Sequence, residues 1–112
     1  MREIDGLDEA YAMAKLQPSE TGLPMAVSVT ENDGFRHDVR VKVSRIHGGL
    51  GAWTGVASVA VRPTPRLVIG HLDPTDLRLV SQWIELNRAV IIDYWDGALS
   101  LTELLARLKR LP

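Results

Sequence analysis

Phe35-Arg36-His37-Asp38-Val39-Arg40-Val41-Lys42-Val43-Ser44 alternates without a break: Phe35, His37, Val39, Val41 and Val43 fall on one side, Arg36, Asp38, Arg40, Lys42 and Ser44 on the other. A side-chain period of two marks a strand with one face buried and one in water. Just upstream, Met25, Val27 and Val29 alternate with Ala26, Ser28 and Thr30, which reads as a second strand. Asn32-Asp33-Gly34 joins the two. A two-residue Asp-Gly turn would set Val27 opposite Arg40 and Val29 opposite Asp38, mixing the faces. A three-residue loop with Gly34 left-handed keeps them apart and predicts Val29 opposite His37, Val27 opposite Val39 and Met25 opposite Val41.

Working outward, His47-Gly48-Gly49-Leu50-Gly51-Ala52-Trp53-Thr54-Gly55 is too rich in glycine for a regular element and reads as a loop. Val56 to Val61 and Arg66 to Ile69 read as two more strands, separated by Arg62-Pro63-Thr64-Pro65. Four strands met in order predict an antiparallel meander. Asp73-Pro74-Thr75-Asp76 then opens a long helix, with Asp73 as its cap and Pro74 at the first helical position. Its expected buried face holds Leu77, Val80, Trp83, Ile84, Leu86, Val90, Ile91, Tyr94 and Trp95, and Gly97 ends it. A last helix starts at the capping box Ser100-Leu101-Thr102-Glu103 and carries an apolar stripe of Leu101, Leu104, Leu105 and Leu108. Before all of these, the alanine, leucine and methionine of Asp5 to Leu16 predict a short helix, and Gln17 to Gly22 a linker. The expected organisation is an acidic helix and linker over residues 1–22 and a single α+β domain over 23–112. Its antiparallel sheet has about four strands, with the two C-terminal helices packed on one face.

Length and composition agree with this. A chain of 112 residues, 46% hydrophobic and 24% charged, has room for one core and no second domain. The absence of cysteine excludes disulfides, thiol catalysis and cysteine-ligated zinc. No apolar run approaches a membrane span, and Met1-Arg2-Glu3-Ile4-Asp5 does not open a secretory leader, so the expected location is the cytoplasm. The net charge of −1 hides a division: residues 1–34 set Arg2 and Lys15 against seven carboxylates, a net −5, whereas residues 35–70 set six cations against Asp38 alone, a net +5.

Trp83-Ile84-Glu85-Leu86-Asn87-Arg88 followed by Ile91-Ile92-Asp93-Tyr94-Trp95-Asp96-Gly97 and a leucine-rich end resembles a family of small uncharacterised bacterial proteins. These are known only as a domain of unknown function, some encoded in toxin-antitoxin-like neighbourhoods. The resemblance spans roughly residues 24–97. It implies closely spaced histidines on the second strand, and there this chain departs from it, reading His37-Asp38-Val39-Arg40.

Three sets of residues bear on chemistry. His37, His47 and His71, with Asp33, Asp38 and Asp73 near them in sequence, are the set from which a two-histidine, one-carboxylate metal site or an acid-base pair would be assembled. No two of the histidines share the spacing of one element, so a metal-dependent enzyme is the alternative reading and no cofactor is assigned. The glycine-rich loop lacks the Gly-x-Ser-x-Gly elbow and the Gly-Lys-Ser/Thr ending that nucleophile and phosphate loops require. The third set is basic: Arg36, Arg40 and Lys42 point from one strand face, Arg62 and Arg66 flank neighbouring strands, and Trp53 stands on the loop. Such a face would track phosphates, but no aromatic interleaves with its cations and Asp38 interrupts it. The reading favoured is a non-enzymatic interaction or regulatory module with Arg36, Arg40, Lys42, Trp53, Arg62 and Arg66 as its binding residues. It acts as a homodimer or with a protein encoded nearby, with nucleic acid the less favoured partner and no membrane.

One stability expectation follows from the capping box alone. Ser100→Ala removes an acceptor for a free helical N–H and is expected to lower the unfolding free energy by about 1 kcal/mol in urea denaturation.

Overall fold

Alternation along β2 (Val27–Thr30) and β3 (Arg40–Val43) seeds one antiparallel sheet, completed by β1 (Met13–Leu16), β4 (Ala57–Ala60) and β5 (Arg66–Ile69) in the spatial order β1-β2-β3-β4-β5. The computed structural model describes residues 13–49, 51, 53 and 56–112. Three helices accompany the sheet: a single turn α1 (Pro18–Thr21), the long α2 (Pro74–Trp95) and α3 (Leu101–Arg107). The class is α+β as expected, with a fifth strand added.

The inner face of the sheet is a run of small and branched apolar side chains. Leu16 lies beside Val27, Val27 beside Val43 and Val43 beside Ala57; one step along, Ala14 lies beside Val29 and Val41 beside Val59. All are buried in one core with Val80, Trp83, Ile84 and Ile91 of α2. Burying a valine or isoleucine side chain contributes about 1.5–3 kcal/mol, so this contact dominates the stability of the fold.

Several sequence expectations need correction. The short helix expected over Asp5 to Leu16 is, at its end, strand β1; residues 5–12 of that expectation lie outside the described residues. Alanine and leucine favour a helix in isolation, but Ala14 and Leu16 alternate with Lys15 and complete the inner face against β2, and tertiary burial overrides the local preference. The linker expected at Gln17 to Gly22 contains α1, where the Glu20 carboxylate accepts the Gln17 N–H at 2.7 Å. Gly22 at φ 82° closes that turn against the C-terminal tail, where a Cβ would meet the Leu111 carbonyl at 2.7 Å.

The β2–β3 register also differs. Val27 pairs with Val43 and Ser28 with Lys42, not Val27 with Val39. The shift is even, so the faces are unchanged, but residues 31–39 become a long connection in place of a three-residue loop. Its cause is a link to α2: the Asn32 N–H donates to the Trp95 carbonyl at 2.9 Å, and the Asn32 side chain accepts the Phe35 N–H at 3.1 Å. The chain is thereby drawn toward the end of the helix and cannot fold back as a tight hairpin.

On the helices, Val80, Trp83, Ile84, Ile91, Tyr94 and Trp95 are buried as expected, but Leu86 is exposed and Asn87 is buried in its place. Asp73 stands at the N-cap without a side-chain capping bond. In α3 the capping box forms: the Ser100 hydroxyl accepts the Glu103 N–H at 3.1 Å, and Glu103 accepts the Ser100 N–H at 2.9 Å. That pairing holds the Glu103 carboxyl below its ordinary range. Of the expected leucine stripe only Leu104 is fully buried; Leu101 and Leu105 are exposed.

Asn87 explains its own burial. Its amide donates to the Trp83 and Lys109 carbonyls, each at 3.0 Å, and its carbonyl accepts the Lys109 N–H at 2.7 Å. Beyond it the Leu111 N–H donates to the Thr21 carbonyl at 2.8 Å. Asn87→Leu, which keeps the branched shape and deletes these bonds, is expected to cost about 2 kcal/mol in chemical denaturation. An unchanged midpoint would show that the tail contributes nothing.

Candidate functional site

Because Val41 and Val43 face α2, Arg40 and Lys42 must face the other way, and the pairing places their neighbours. Along one row Lys15, Ser28, Lys42, Ser58 and Ile69 lie side by side; in a second, Ala60 lies between Arg40 and Arg66. The outer positions of the even-numbered strands are therefore small, and those of β1, β3 and β5 carry the cations. Arg40 and Arg66 stand two strands apart, about 10 Å at the backbone, and Arg40 and Lys42 about 7 Å apart along β3. Among the described residues no carboxylate forms an ion pair with Lys15, Arg40, Lys42 or Arg66.

Three of the six expected binding residues converge. Arg40, Arg62 and Arg66 line one cleft of about 210 Å³ with His37 and Asp38, and Val39, Ala60 and Val68 complete its lining. Lys42 lies next to it along β3. Arg36 is exposed on the β2–β3 connection, two residues before Asp38. Trp53 is at the far edge, where the Lys15 ammonium sits 5.5 Å from the centre of its ring. The glycine-rich segment reaches that edge because it runs back along the β2 side: the Gly48 N–H donates to the Pro24 carbonyl at 3.0 Å, and Met25 and Gly48 form a parallel bridge.

Asp38 interrupts the basic set in sequence but serves it in space. Arg62 grips its carboxylate with two parallel bonds, Nε to Oδ2 and Nη2 to Oδ1, each 2.8 Å. Both side chains are about half exposed, so the pair adds little stability. Its effect is to hold one guanidinium in a fixed plane at the mouth of the cleft. The Arg62 bonds, with the Val39 amide second, lower the Asp38 pKa from 3.8 to about 2.

The histidines do not assemble. The His37 Nδ1–H donates to the Asp38 carbonyl at 2.7 Å, near the C-terminal end of α2. His47 donates through Nε2 to both oxygens of the buried Asp76 carboxylate, at 3.0 and 3.1 Å, in the first turn of that helix. Asp76 and Trp95 are about 28 Å apart along the helix axis. His71 is exposed on the β5–α2 connection. Among the described residues no three histidine, aspartate or glutamate side chains are grouped as metal ligands, and no described helix is long and apolar enough to cross a membrane.

An aromatic cluster that the sequence reading does not anticipate adjoins the cleft through His37. Phe35 and His37, expected on the apolar strand face, lie on the connection before β3. They stack with Trp95: Phe35 to His37 at 5.1 Å, Phe35 to Trp95 at 6.0 Å and His37 to Trp95 at 5.8 Å between ring centres, all within 26° of parallel. Lys15 was missed too, although the alternation of Met13-Ala14-Lys15-Leu16 carries the signal. Family models, curated proteins and solved structures give no match to this chain.

A carboxyl-detected NMR titration checks the Asp38–Arg62 pair. A lowered pKa means the pair stabilises the fold above the unfolded value of 3.8, and this contribution is lost as pH falls through about 2. Asp38 is expected to titrate near 2 in the native chain, and Arg62→Gln to return it toward 3.8. A native midpoint already at 3.8 would show that the two bonds do not persist in solution.

Proposed function

We propose that this chain is a non-enzymatic interaction module, cytoplasmic, that docks an acidic partner on the outer face of its sheet. The observation that carries the reading is the set Arg40, Lys42 and Arg66: three cations held on one rigid sheet face, none ion-paired with a described carboxylate, in a chain whose net charge is −1. Cations gathered on one face of a chain whose total charge is near zero favour association with an opposite surface and speed its encounter. Trp53 extends the same face at the β1 edge. Leu86, Leu101 and Leu105, exposed on the two C-terminal helices, support a second contact, through which the chain pairs with another copy of itself or with the product of a neighbouring gene.

Heparin serves as a generic polyanion to test the face. At about 0.1 M salt, where charges are screened beyond about 10 Å, the natural chain is expected to be retained on heparin, and Arg40→Glu/Lys42→Glu/Arg66→Glu to elute unretained. The unfolding midpoint of that variant should stay close to that of the natural chain, because the three side chains face away from the core. Flow-through of the natural chain, or equal retention of the variant, would reject the outer face. Native mass spectrometry reads the second contact as a mass of two chains.

A further inference from the structure

We propose that the cleft between β3, β4 and β5 is a phosphate site for single-stranded nucleic acid, with an adjoining base stacked on Phe35. The inference rests on the outer face being a docking surface for an acidic partner, and it names the chemistry of that partner.

Two features meet at His37. On one side it lines the cleft with Arg40, Arg62 and Arg66. Asp38 cancels the charge of Arg62 while engaging only its Nε and Nη2, so Nη1 keeps its hydrogens for a ligand. Arg40 and Arg66 form no ion pair among the described residues, and Lys42 follows next along β3; besides Asp38, only the Asp96 carboxylate at the end of the long helix acts on Arg62 from a distance. Guanidinium groups suit the paired oxygens of a phosphate, and a row of cations suits a chain of them.

On its other side His37 stacks on Phe35. Phe35 is 43% exposed and its ring is held by two aromatic neighbours, one of which, His37, lines the cleft, so part of a flat apolar ring stays open to a ligand. A carboxylate-bearing peptide would satisfy the arginines and leave that ring unused. A nucleobase uses both, because every base offers a π face to stack. Within a duplex the bases stack on one another and cannot reach the ring, which selects a single strand.

Fluorescence anisotropy with a labelled oligothymidylate of about twelve nucleotides tests this on the full chain, alongside a duplex of the same length and polyglutamate of matched charge. The oligothymidylate is expected to bind more tightly than either. Phe35→Ala should weaken it about tenfold without changing polyglutamate binding, and Phe35→Trp should restore it. Arg40→Ala/Arg66→Ala should lower the slope of log affinity against log salt by about 1.4. Circular dichroism of each variant establishes that it is folded before its affinity is compared. Oligothymidylate bound no better than polyglutamate or duplex overturns the inference and leaves the acidic-partner reading standing. Tight binding that Phe35→Ala does not alter also overturns it, and binding of neither polyanion removes both readings.

Discussion

Contact between the valines of the sheet and one face of α2 commits every side chain on β3 to one side or the other. Val41 and Val43 pack with Val80, Trp83 and Ile84 in the same core. A slip of one residue would expel those valines and drive Arg40 and Lys42 into the apolar layer. Losing two valines from the core costs about 1.5–3 kcal/mol each, and burying two unpaired cations costs several more apiece, which together is comparable to the whole stability of a domain this size. Parity is therefore not negotiable, and the cationic outer face is a direct result of building the inner one. The basic balance of residues 35–70 is thus tied to packing as well as to any partner.

The same rule separates what could be read in the sequence from what could not. Faces were legible on β2 and β3 because a period of two is local, and they survived a register shift because that shift was even. The register itself was hidden. It depends on the hydrogen bond from Asn32 to the end of α2, a contact between segments far apart in the chain, for which Asn32-Asp33-Gly34 gives no local sign. β1 was obscured for a different reason: alanine, leucine and methionine carry a helical preference that only its pairing with β2 cancels. Asn87 stood among the buried positions of α2 for the sake of Lys109, a backbone partner that no helical periodicity announces.

Of the site, its cations were legible and its grouping was not. Arg40, Arg62 and Arg66 are identifiable as basic residues on or beside strands, and the expected meander already sets β4 between β3 and β5, but only the register places Arg40 and Arg66 on either side of Ala60. Asp38 looked like an interruption because in sequence it neighbours His37 and Arg40; in space its partner is Arg62, across the sheet. The aromatic stack escaped notice because Phe35 and His37 fit an alternating strand so well that their place on a connection was not evident. Where a residue satisfies two local patterns, the long-range contact decides between them, and here Trp95 does so.

The outermost described strands of the sheet have a consequence for its growth. β1 and β5 are four residues each, carry Lys15 and Arg66, and β5 is further broken by a register irregularity opposite Ser58 and Val59. Short, charged and irregular edges are poor templates for another chain's strand, because a pairing chain must desolvate the cation and cannot keep a straight ladder. Among the described residues, both margins of the sheet thus resist the edge-to-edge stacking that leads to aggregation. Such margins favour contacts made through side chains on a face or a helix, which are finite and closed, over the open-ended hydrogen bonding of the backbone.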